Sequence, residues 1–132
     1  MAPGERSRPQ FSAPTISVGL VVATLLVLSL VPVFGDLRTG IPGEIEHFGA
    51  YLVSSIIMAA AVPGRRFAIA AGLIALALAS EALQAFIPGR SAAFGDAVAG
   101  FVGSACGLSI DQYARRWRKK RAQAALSKGH LS

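Results

Sequence analysis

Residues 81–96 read EALQAFIPGRSAAFGD, and the placement of this stretch decides the fold. It joins two apolar runs, yet it carries Glu81, Gln84, Arg90 and Asp96, four of the few polar side chains in the hydrophobic part of the chain. Within a membrane-length segment an ionisable side chain costs at least about 2–3 kcal/mol, so it calls for a partner or a function.

Outward from this stretch the chain divides into apolar runs separated by helix breakers. Before it lies 67–87, rich in alanine and closed by Pro88 and Gly89; before that lies 45–62, stopped by Pro63, Gly64, Arg65 and Arg66. Residues 16–34, ISVGLVVATLLVLSLVPVF, contain no charge, and these 19 residues make about 28 Å of helix, close to the hydrocarbon thickness of a bilayer. A cleaved secretory leader is the competing reading of 16–34, but the run is longer than the apolar part of such leaders. After the stretch only the 14 residues 97–110 separate Asp96 from Asp111, about 21 Å of helix and too short to span alone. The fourth run is therefore expected to begin near Ala92, with Asp96 inside the bilayer. The expected fold class is all-α, an integral membrane bundle of four transmembrane helices. Its expected parts are a disordered cytoplasmic N-terminus over 1–15, a transmembrane domain over 16–111 and a basic cytoplasmic tail over 112–132.

Composition agrees with bilayer as the solvent. A chain of 132 residues with 53% apolar side chains and a mean hydropathy of +0.54 has more apolar surface than one small soluble domain can hide. The net charge of +6 would suggest nucleic acid if it were spread over a soluble surface. Seven of the thirteen Lys and Arg residues instead fall in 112–132, as expected of a cytoplasmic flank, and no nucleic-acid partner is expected. With the N-terminus inside, eleven of the thirteen are cytoplasmic and only Arg38 and Arg90 face outward, which sets a multi-pass inner-membrane topology with both termini cytoplasmic. Tyr113 and Trp117 then fall at the inner interface, and RRWRKKR is expected on anionic headgroups. Cys106 stands alone in an apolar run, so no intrachain disulfide forms.

Counting along each helix places the polar residues at similar depth. From the expected outer ends, His47 lies about 3 Å in, Gln84 about 4 to 5 Å, Asp96 about 6 Å, and Tyr51 and Glu81 about 9 Å. His47, Glu81, Gln84, Arg90 and Asp96 are the candidate ligand-binding residues of one outward-facing polar pocket. Each also has a plainer reading: His47 as an interfacial hydrogen-bonding group, Arg90 as a snorkelling loop residue, and Asp96 as a carboxylate complementing its helix N-terminus. No metal and no cofactor are expected, because a single imidazole is available and no ligand motif is present. Neither a phosphate-binding glycine loop nor a nucleophile triad can be read, so catalytic residues are unassigned. Asp96, Gly100, Gly103 and Gly107 fall on one stripe, matched by Ala68, Gly72, Ala75, Ala79 and Ala82 on the third run. These stripes predict close packing of helices three and four, which would bring Glu81 towards Asp96.

EIEHFGAY, EALQAFIPGR, Asp96 and GFVGSACG together resemble the VanZ-like membrane proteins. That family's pattern is a His-Phe pair opening one helix, Glu-x-x-Gln ending the next, Pro-(Gly)-Arg, and an Asp opening the last. The resemblance covers about 43–108. Two positions depart from it: Gly43 and Glu44 stand where an Asp-Lys pair is frequent, and Gly100 stands where Asn is usual. The resemblance implies a bacterial cell-envelope protein linked to glycopeptide (teicoplanin-type) resistance or surface polymer metabolism, and implies no particular reaction. Three functions follow as expectations. The first is an accessory or binding module that engages an anionic envelope lipid or glycan precursor. The others are a helix-bundle scaffold, alone or as a homo-oligomer, and an intramembrane enzyme acting through Glu81 and Asp96.

Overall fold

Proline and glycine set helix boundaries within residues 12–30, 42–86 and 94–129, which are those the computed structural model describes. Among them the chain is all-α, with α1 (Ala13–Leu30), α2 (Gly43–Ala61), α3 (Arg66–Gln84) and α4 (Phe94–Gly129). α2 starts directly after Pro42, whose fixed φ of −56° suits a helix entry and whose carbonyl accepts from the Ile45 and Glu46 amides at 3.0 and 3.3 Å. Glu44 and Glu46 in its first turn complement the positive end of the helix. α2 ends before Pro63, and Gly64, at φ 88°, makes the left-handed residue that turns the chain into α3.

The basic segment continues the preceding helix: α4 runs unbroken to Gly129, 36 residues or about 54 Å. No Pro or Gly interrupts 108–128, and the segment is rich in Arg, Lys, Ala and Gln, all strong helix formers. One expectation, about packing, is corrected. The glycine stripe of α4 faces α2, not α3: a Cβ at Gly100 would meet the Tyr51 ring, one at Gly103 would strike the Phe48 carbonyl, and one at Gly107 would strike Ser55 Oγ and the Leu52 carbonyl. The alanine stripe of α3, Ala68, Gly72, Ala75, Ala79 and Ala82, is exposed. α3 instead buries Ile69, Leu73, Ala77, Ser80, Glu81 and Gln84. Glycine permits a closer backbone approach than alanine, by the room of one Cβ, so the tightest helix pair forms where the glycines are.

The interior is small and polar for a helix bundle. Leu25, Tyr51, Met58, Ala59, Ile69, Leu73 and Ala77 make the apolar core, and Ser54, Ser55, Ser80 and Ser104 are buried among the helices. The serine hydroxyls are satisfied along their own helices, Ser55 to the Leu52 carbonyl, Ser80 to Ala77 and Ser104 to Gly100, at 2.8 to 2.9 Å. Large apolar side chains point outward, including Leu20, Leu28, Ile45, Phe67, Leu78, Phe86, Phe94 and Phe101. One described helix, Arg66–Gln84, is long and apolar enough to cross a membrane, and Ala13–Ser29 is apolar but shorter.

Candidate functional site

The start of α2, the end of α3 and the start of α4 meet at one end of the bundle, and each brings a titratable side chain. A ring nitrogen of His47 and one carboxylate oxygen each of Glu81 and Asp96 lie within 4.8 Å of one another. His47 Nδ1 stands 3.8 Å from Asp96 Oδ2 and 3.1 Å from the Gly43 carbonyl, one turn back on its own helix. A carbonyl only accepts, so Nδ1 carries a proton, and in the neutral ring Nε2 holds the lone pair. Nε2 is buried and has no hydrogen-bond partner.

Local structure explains why the three groups converge. Asp96 is in the first turn of α4 and its carboxylate also stands against Gly43, at the first turn of α2, where a Cβ would lie 3.2 and 3.3 Å from the two oxygens. The charge thus rests near two helix N-termini, both of which favour it. Gly43 is one of the departures from the VanZ-like pattern, and any side chain there would crowd Asp96. Glu81 is on the buried face of α3.

Tyr51 completes this end of the bundle and is absent from the residues chosen from sequence. It is only 1% exposed, its ring lies nearly parallel to that of His47 with centroids 6.4 Å apart, and Gly100 makes room for it. Its hydroxyl lies near Ser80 and within electrostatic reach of Glu81, but it makes no hydrogen bond of acceptable geometry, and the Ser80 proton is already donated to Ala77. The signal for Tyr51 was its spacing, four residues after His47 on the same helix face.

Gln84 is buried as expected but turns away from this cluster. Its Nε2 donates to the Ser29 carbonyl at 2.8 Å, in the last turn of α1, where carbonyls lack intrahelical donors. Arg90 lies outside the described residues, as do Arg38 and Asp36. Of the five sequence candidates, the structure brings His47, Glu81 and Asp96 together and gives Gln84 a bond to a neighbouring helix.

A second polar group at the opposite end of the bundle was not read from sequence. Asp111 accepts from Arg66 at 3.0 Å and from Arg115 at 2.8 to 2.9 Å, and Arg115 also donates to the Ala59 carbonyl at 2.7 Å. This cluster ties the last turn of α2 and the first of α3 to α4. The Asp111–Arg115 half is an i,i+4 pair and visible in the sequence, whereas Arg66 is 45 residues away. Further along α4, Arg121 stacks over Trp117 at 3.7 Å. Comparison with protein-family models, curated proteins and solved structures finds no match for this chain.

Proposed function

We propose that this chain is a VanZ-like membrane protein of the bacterial envelope, a four-helix membrane bundle whose outward polar pocket binds an anionic envelope lipid or glycan precursor. The single observation that carries the reading is the convergence of His47, Glu81 and Asp96 from three helices at the end away from the basic half of α4. Supporting it, the bundle is built with small and hydroxylated residues inside and large apolar residues outside, as suits helices that pack where lipid removes the hydrophobic drive between them. The ion pairs of Asp111 with Arg66 and Arg115 put the α2–α3 turn at the same end as the basic helix, consistent with one cytoplasmic side. In this reading Arg90, which falls in the sequence between α3 and α4, contacts a phosphate or carboxylate of the ligand, and the His47 cluster orients other groups of the ligand.

The test is mass spectrometry of lipids that co-purify with the full chain in mild detergent, for the wild type and Arg90→Ala. A phosphate-bearing envelope carrier enriched with the wild type and lost with the variant is the expected outcome. Equal recovery of bulk phospholipid alone from both would overturn it.

A further inference from the structure

We propose that His47, Glu81 and Asp96 form a binding site for a divalent first-row metal ion of the zinc or manganese class. The inference stands on the geometry of three side chains and does not need the membrane or lipid reading. One imidazole nitrogen and two carboxylate oxygens from three different helices lie within 4.8 Å of one another. Ligands about 2.1 Å from a common ion stand at most about 4.2 Å apart, so side-chain adjustments of well under an ångström to about one ångström close the site.

Two observations beyond the clustering point to an ion. First, the His47 ring is held as a metal-bound imidazole is held: Nδ1–H donates to a backbone carbonyl, that of Gly43, which in the neutral ring leaves Nε2 unprotonated and available. That nitrogen is buried without a hydrogen-bond partner, a cost that a bound cation removes. Second, the Tyr51 hydroxyl, on a side chain 1% exposed, lies beside Glu81 and makes no hydrogen bond. With Glu81 drawn onto an ion, that hydroxyl is placed to donate to the carboxylate or to an ion-bound water, as an outer-shell positioning residue. Charge points the same way. Two partly buried carboxyl groups facing one imidazole favour a divalent cation, and the donor set of one nitrogen and two oxygens suits zinc or manganese better than copper(I) or an iron–sulfur cluster.

The experiment is isothermal titration of the metal-stripped full chain, tag removed, in detergent micelles with zinc chloride and separately with manganese chloride, followed by X-ray absorption of the loaded wild type. One ion per chain for at least one of the two metals is expected. Glu81→Gln, Asp96→Asn and His47→Ala should each weaken binding by tenfold or more, and Tyr51→Phe by about tenfold. The absorption spectrum should show nitrogen and oxygen neighbours only. It reads the wild type directly, so it decides the matter even if a variant fails to fold. Absence of saturable binding by either metal, equal binding by all variants, or a sulfur neighbour, which would indicate Cys106, overturns the proposal. Any of these would leave the Arg90 lipid experiment unaffected.

Discussion

At the scale of single residues, hydrogen counts as much as charge. The α2–α4 contact exists because positions 100, 103 and 107 lack a side chain, and Gly103 is the sharpest case because the obstacle is backbone, the Phe48 carbonyl. Gly103→Ala is expected to lower stability by about 1–3 kcal/mol, the range for overpacking a closed interface, measured by thermal unfolding in detergent. Gly72→Ala is the matched control, because nothing lies within 4 Å of the added carbon. There the change should be neutral or stabilising by up to about 1 kcal/mol. Equal destabilisation by both would mean that the glycine stripe does not hold the helices together. The same residue-level view explains what was legible. His47, Glu81 and Asp96 stood out because each is ionisable within an apolar run, and depth counting placed them in one layer. Gly43 carried no such signal, since its role is to leave space for a residue 53 positions later.

At the scale of elements, helix ends are joined by side chains from α3 and α4. Gln84 reaches the last turn of α1, Arg115 the last turn of α2, and Arg66 joins the start of α3 to Asp111. Gln84→Ala is therefore expected to loosen α1, costing about 0.5–2 kcal/mol for the lost buried bond, read as a lower unfolding temperature. Metal affinity should be unchanged, because the residue lies outside the His47 cluster; a large loss of affinity with unchanged stability would place Gln84 in the site. The four runs were readable from apolar length and from Pro–Gly punctuation. The pairing of helices was not, because an alanine stripe and a glycine stripe look equivalent when only smallness is counted. They differ by one carbon, and the glycines allow the closer backbone approach.

At the scale of the whole molecule, the two polar clusters sit at opposite ends, with Asp96 and Asp111 separated by 15 positions on α4, or about 22 Å. If the chain crosses the membrane as proposed, a reporter fused at residue 132 and one fused ahead of residue 12 should both be active in the cytoplasm, while a cysteine introduced in the 87–93 connection should react with an impermeant reagent added outside. Labelling of a C-terminal cysteine from outside would invert the topology. The sidedness of Lys and Arg gives an expected orientation, but the extent of α4 was not legible in the sequence, since Arg and Lys mark a flank and a helix equally well. α4 continues without a break past Asp111 and through RRWRKKR. One helix therefore carries Asp96 near its start and Trp117 and Arg121 far along its other half, with Asp111 clamped between them. Between those points the helix is seated on α2 at Gly100, Gly103 and Gly107. A side chain added at any of the three would therefore wedge apart the two helices that carry His47 and Asp96, so the spacing of the polar cluster is set by three residues that touch none of its atoms.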